Sequence, residues 1–239
     1  MGKLDGKVVV VTGAARRIGR CIALRLAEEG ATVVVHYNQS AAEAEQTARQ
    51  CGGLALGANL ERVSEIVDLF RRIEKRLGRL DALVNNAARF TAIDPLQIQE
   101  SDWDYIHTVN LKATFFCCRE AARLMKQRGG GRIVNISSLG GLRPWAEHVH
   151  YCASKAGVIM LTRALAKAWA PEILVNSVAP GVIPFEEAGN PEIQRLVDAT
   201  PMKRAGSGED IASAVLYFLT DARFITGEVL AVDGGLNLR

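Results

Sequence analysis

Apolar residues along this chain gather into short, nearly continuous runs, separated by longer stretches in which they recur every three or four positions. The runs at 8–11, 32–35, 54–58, 82–85, 132–136, 174–178 and 229–232 are rich in β-branched residues and of strand length. They do not alternate with polar positions, which predicts strands covered on both faces, as in a parallel sheet. Between them, Val63, Ile66, Val67, Phe70, Ile73 and Leu77 keep a helical spacing and Gly78 closes the segment, predicting an amphipathic crossover helix. Strand and helix alternate to the end. The pattern predicts an α/β fold, a doubly wound parallel sheet of about seven strands with helices on both faces. No linker or repeat interrupts it, so 1–239 reads as one domain. The least regular stretch is 181–205, where Pro184, Pro191 and Pro201 predict a loop or short helices. Such a segment late in the fold is expected to serve the substrate.

Composition narrows the partners. With 49% hydrophobic and 23% charged residues the chain is not a disordered one. A net charge of +3, spread along the sequence, argues against nucleic acid or an anionic membrane as the main partner and for a small molecule. No apolar run reaches membrane-spanning length, and MGKLDGKVVVVTG shows no signal-peptide pattern. The cysteines, Cys21, Cys51, Cys117, Cys118 and Cys152, are odd in number and lack CxxC or other metal-ligand spacing. They read as reduced thiols in a cytoplasmic protein without a metal.

After the first run comes Thr12-Gly13-Ala14-Ala15-Arg16-Arg17-Ile18-Gly19, a strand, a glycine turn and a helix. Gly13 permits the tight turn, Gly19 lets helix approach sheet, and free amides at the helix N-terminus suit a pyrophosphate. A fold that prefers NAD places an acid roughly 20 residues on, at the end of the second strand. Here that strand ends in His36-Tyr37-Asn38-Gln39-Ser40, with no carboxylate to repel a 2′-phosphate. Arg16 and Arg17 could grip that phosphate, with His36, Asn38 and Ser40 as further donors. The cofactor expected is NADP(H). The alternative is that both arginines are solvated surface charges.

Tyr151 and Lys155, at i and i+4, share one face of an apparent helix. Upstream lie Asn135-Ile136-Ser137-Ser138 and Val109-Asn110; Asn85-Asn86-Ala87-Ala88 follows the fourth strand, Pro180-Gly181 the sixth and Asp233-Gly234-Gly235 the last. In this order the motifs resemble those of the short-chain dehydrogenase/reductase family over essentially the whole chain. The resemblance implies a Rossmann-type domain that moves a hydride between nicotinamide and a carbonyl or alcohol carbon. It maps the acid/base to Tyr151, the pKa-lowering cation and ribose ligand to Lys155, the carbonyl-binding hydroxyl to Ser138 and the support of a water relay to Asn110. The chemistry asks for these types as well. A phenol titrates near 10 and a neighbouring cation favours its phenolate, while a neutral hydroxyl can bond an oxygen on which charge develops. Ser137 competes with Ser138, and Asn110 could equally satisfy backbone at a helix kink.

The same resemblance sets Asn86 beside the adenosine ribose, with Ala87 and Ala88 allowing close approach, and Asn59-Leu60 facing adenine. Asn59 could instead cap the following helix. It also implies a homotetramer built through the helices at 102–128 and 151–169 and the C-terminal residues 236–239. Two departures stand out. TGAARRIG, with Arg17 in place of the third glycine, and HYNQS resemble pteridine reductases, whereas Ser138 matches the carbonyl reductases, including 3-oxoacyl carrier-protein reductases. After Pro180-Gly181 the family usually has a Thr; Val182-Ile183-Pro184-Phe185 stands here, leaving Ile183 backbone groups to meet the carboxamide. A ketone or 3-oxoacyl reductase is therefore expected, with a pteridine or dihydrofolate-type reductase as the alternative. A noncatalytic nucleotide sensor on the same fold is a remote third.

Overall fold

A computed structural model describes residues 2–185 and 191–238. Seven strands form one parallel sheet among these residues: β1 (Val8–Val11), β2 (Thr32–Tyr37), β3 (Leu54–Gly57), β4 (Ala82–Asn85), β5 (Gly131–Ile136), β6 (Ile173–Pro180) and β7 (Val229–Val232). Their order is β3-β2-β1-β4-β5-β6-β7. The helices between them are α1 (Arg17–Glu28), α2 (Ala41–Cys51), α3 (Val63–Leu77), α4 (Glu100–His107), α5 (Thr114–Lys126), α6 (Val149–Trp169), α7 (Pro191–Ala199) and α8 (Gly208–Thr220).

The unbroken apolar runs are explained by this layering. Val9, Val11, Val33 and Val35 point to a core shared with α1, α2 and α8. Val8, Val10, Val34 and Leu83 point the other way, onto α3, α5 and α6. Successive strand residues face opposite sides of the sheet, so both sets must be apolar when both sides carry helices.

Strand bounds shift by a residue or two from the sequence expectation, most at β2 and β6. β2 runs two residues further, because His36 and Tyr37 continue the ladder against Leu56 and Gly57 of β3. β6 reaches Pro180, which pairs in register with Val232. Within 181–205, α7 forms directly at Pro191, a residue suited to the first turn of a helix; residues 186–190 lie outside those described. The expected kink near Asn110 is a π-helical stretch at Thr108–Ala113 joining α4 to α5.

Candidate active site

The carboxyl ends of β1, β4, β5 and β6 open into a cleft of about 1500 Å³. It lies where the strand order reverses between β1 and β4, the place where open α/β sheets bind ligands. The sequence-predicted residues all line it except Asn110.

At one end lies the glycine turn. Gly13 has φ +62°, and a Cβ there would sit 2.9 Å from the Ala87 Cα. Asn86 braces this turn: its Nδ2 donates to the carbonyls of Thr12 at 2.9 Å and Gly13 at 3.0 Å. The amide expected beside the adenosine ribose is therefore occupied in holding the loop. Helix α1 starts without a side-chain cap and without an acid in its first turn, so its leading N–H groups suit an anionic ligand. Arg16 and Arg17 are exposed at the cleft, and Arg17 holds a left-handed backbone, φ 53°, where the family has glycine.

His36 departs from expectation. It is 1% exposed; its Nδ1 accepts from Gly13 N–H at 3.1 Å and its Nε2 donates to the Ala58 carbonyl at 3.0 Å. With both ring nitrogens committed it has no donor for a phosphate. Burial holds its pKa down at about 4, so the ring is neutral at physiological pH. Asn38 and Ser40 keep their places on the cleft, and the Ser40 hydroxyl is not used in capping α2. Asn59 does not cap α3, whose N-cap is Arg62; its Oδ1 accepts from Glu61 N–H at 3.0 Å in a local turn. Leu60 and Ala88 lie along the same wall, and Pro180, Gly181 and Ile183 line it from β6. Tight backbone around Gly13, an uncapped helix start and the absence of an acid at 36–40 fit a dinucleotide with a 2′-phosphate.

At the other end Ser138, Tyr151 and Lys155 come together. Ser138 Oγ accepts from Gly140 N–H at 3.0 Å, which leaves its own proton to donate. Ser137 is unavailable: its hydroxyl donates to the Val178 carbonyl at 3.2 Å and accepts from Ser177 Oγ at 2.7 Å, inside the sheet. Lys155 is 3% exposed, donates to the Ile136 carbonyl at 2.8 Å and lies 5.8 Å from the Tyr151 ring centre. Burial pushes Lys155 down to about 8. Burial also pushes Tyr151 up to about 12, partly offset by the Ser138 hydroxyl facing the phenol. Burial thus governs the tyrosine, with Ser138 rather than the expected Lys155 supplying what lowering there is, and the phenol stays protonated.

Asn110 lies behind this wall, 1% exposed. Its Oδ1 accepts from Arg89 N–H at 2.7 Å, and its Nδ2 donates to the Arg89 carbonyl at 3.0 Å and to Ser154 Oγ at 3.1 Å. Ser154 in turn donates to the Tyr151 carbonyl at 2.7 Å. Its side chain braces the loop after β4 and has no amide hydrogen left for a water.

A family model described as enoyl-(acyl carrier protein) reductase matches residues 13–237. The chain is 39% identical to a 3-oxoacyl-(acyl-carrier-protein) reductase of Aquifex aeolicus, with 98% of each chain covered. It is 35% identical to one from Synechocystis sp., with 99% of each covered. A solved short-chain dehydrogenase/reductase double mutant from Serratia marcescens superposes with a TM-score of 0.92 at 35% identity, covering 98% of this chain and 99% of that one. The chain belongs to the short-chain dehydrogenase/reductase family. As a short-chain dehydrogenase/reductase it is an NADP(H)-dependent oxidoreductase acting on a ketone or the matching alcohol. The Aquifex and Synechocystis relatives are named as 3-oxoacyl reductases, not as pteridine reductases.

Sequence reasoning missed the aromatic rim of this dehydrogenase/reductase site. Phe90 meets Tyr151 edge-on at 4.8 Å, and Trp145 lies parallel to it at 6.1 Å. Arg143 also lines the cleft and donates to the Leu236 carbonyl at 2.5 Å. The available signal was a pair of large aromatics in otherwise irregular segments next to the motifs. Ile193 and Leu196 of α7 complete the lining. Among the described residues no helix is long and apolar enough to cross a membrane.

Proposed function

We propose that this enzyme reduces the ketone of a 3-oxoacyl-type substrate to a secondary alcohol at the expense of NADPH, with Tyr151 as proton donor. The observation that carries this is the convergence of Ser138, Tyr151 and Lys155 on one end of a cleft whose other end is lined by Arg16 and Arg17 and by a second-strand end, 36–40, that holds no acid. The reduced nicotinamide, when bound, supplies the hydride to the carbonyl carbon. Ser138, its lone pair already engaged by Gly140 N–H, donates to the carbonyl oxygen as negative charge grows there. Tyr151 gives that oxygen its proton. A phenol at about 12 is loaded as an acid at neutral pH, and the Lys155 charge nearby favours the phenolate left behind. Asn110 holds the Arg89 backbone and, through Ser154, the start of α6. Asn59, Leu60, Ala87 and Ala88 flank the nucleotide, and Ile183 offers backbone groups to the carboxamide.

The 3-oxoacyl class rests on the names of the relatives and on a serine at 138. Residues 181–205 serve as the substrate loop, with the apolar side of α7 over the cleft. A homotetramer and a cytoplasmic setting complete the reading; exposed Trp103, Tyr105, Phe115 and Met160 on α4 to α6, and Phe224 and Leu238 beyond α8, are the apolar surface that assembly would cover. The deciding experiment is NADPH oxidation over acetoacetyl thioesters, simple ketones, quinones and pterins, with Tyr151→Phe alongside. Acetoacetyl thioester should be reduced, and Tyr151→Phe should abolish turnover while binding NADPH normally. Residual turnover above about 5% of wild type would remove the tyrosine from its role, since a lost general acid typically costs 10²–10⁴-fold.

A further inference from the structure

The loop after β4 forms the wall facing Tyr151, and histidines on either side of Val149 hold it. His148 Nδ1–H donates to the Thr91 carbonyl at 2.8 Å. His150 Nε2 is hydrogen-bonded to Thr91 Oγ1 at 2.7 Å. Between Arg89, held by Asn110, and Thr91 stands Phe90, stacked on His148 at 4.4 Å and edge-on to the Tyr151 ring at 4.8 Å. Phe90 itself is 58% exposed, so packing alone does not fix it.

His150 is fully buried, and its Nδ1 has no hydrogen-bond partner. A buried polar group left unpaired is destabilising, so a leucine at this place would serve stability better. Around it stand Asp102 and His107 from α4 and His148 before α6; burial outweighs the pull of Asp102 and keeps the ring neutral. A side chain that weakens the core while making one bond to the active-site wall points to that bond as its use.

We propose that His150 is a positioning residue for ketone reduction: through Thr91 it holds Phe90 edge-on against Tyr151 and so fixes the direction in which the phenol presents its proton. The proposal rests on Tyr151 being the proton donor. The His148 bond goes to backbone and survives any residue at 91, whereas the His150 bond needs a hydroxyl there and is thereby testable.

The test compares wild type, His150→Leu, Thr91→Val, the double variant and His150→Gln, whose side-chain amide can still reach Thr91. Steady-state rates are taken with NADPH and the ketone that wild type reduces fastest, together with NADPH affinity and melting temperature. Each single loss should lower kcat about tenfold, a modest share of the roughly hundredfold that a misplacement of about 1 Å can cost. NADPH affinity should not change, and His150→Leu should melt no lower than wild type. The double variant should be no slower than either single one, as expected when both changes break one contact, and His150→Gln should recover most of the rate. Unchanged kcat in Thr91→Val, or losses that multiply in the double variant, would overturn the proposal. Tyr151→Phe separates the two levels. If it stays active the donor assignment fails; if it is dead while Thr91→Val is fully active, only the role of His150 fails.

Discussion

Arg17 sits at φ 53° in the cofactor turn, a backbone that costs an L-residue roughly 1–2 kcal/mol. Replacing it with glycine removes that strain and adds unfolded-chain entropy of about 0.5–1 kcal/mol. Measured against Arg17→Ala, which loses the same side chain but keeps the strained backbone, the net gain of about 0.5–1 kcal/mol should raise the melting temperature by about 1–4 °C in a domain of this size. The same change removes a guanidinium from the proposed 2′-phosphate site. Charge-assisted bonds contribute about 1.5–3 kcal/mol, but Arg17 is exposed and solvent screens it. The lower end applies, roughly tenfold in NADPH affinity. NADH, lacking the phosphate, should bind as before. Arg17→Ala serves as the control: it should lose NADPH affinity equally but melt below Arg17→Gly, since alanine keeps the strained backbone. Dissociation constants for both nucleotides by fluorescence titration, at low and high salt, and melting curves read all of this out. An unchanged NADPH-to-NADH ratio in both variants would show the guanidinium to be surface charge. A melting temperature for Arg17→Gly no higher than that of Arg17→Ala would show that the backbone strain is not relieved.

Acid should weaken the fold through His36. Its native pKa of about 4 lies below its ordinary 6.5, so the unfolded chain binds the proton more tightly and stability is lost as pH falls from about 6.5 to about 4, about 3 kcal/mol in all. Denaturant melts of His36→Gln should show a flatter pH dependence over that window, and an equal slope in both proteins would contradict the burial argument. Sedimentation should give a homotetramer at micromolar protein, and a monomer would leave the apolar faces of α4 to α6 unexplained.

The sheet was legible because strands covered on both sides cannot hide their apolar runs. Their ends were less so. His36 and Tyr37 look like loop residues by type, and only pairing with Leu56 and Gly57 makes them strand. Helix α7 was obscured by Pro184, Pro191 and Pro201, since proline marks a loop and a first helical turn alike. In the site, chemistry concentrated in few residue types was readable: Ser138, Tyr151 and Lys155 lie together as their spacing implied. Phe90, Trp145 and His150 were not, because their importance comes from what three separate segments place around one phenol.

Three residues assigned to ligands from the sequence turn out to hold the loops that face them. His36 and Asn86 grip the Thr12-Gly13 turn from opposite sides, and Asn110 grips Arg89 by both its N–H and its carbonyl. Motif spacing cannot tell a side chain that touches a ligand from one that shapes the backbone touching it, because either is tied to the same turn. The two differ in what they can discriminate. A brace on Gly13 positions amides that meet a pyrophosphate common to both nucleotides, so it supports NADH and NADPH alike. In the proposed reading Arg16 and Arg17 meet only what distinguishes them, so that cofactor preference would reside in two exposed side chains, and cofactor binding as such in a buried hydrogen-bonded frame.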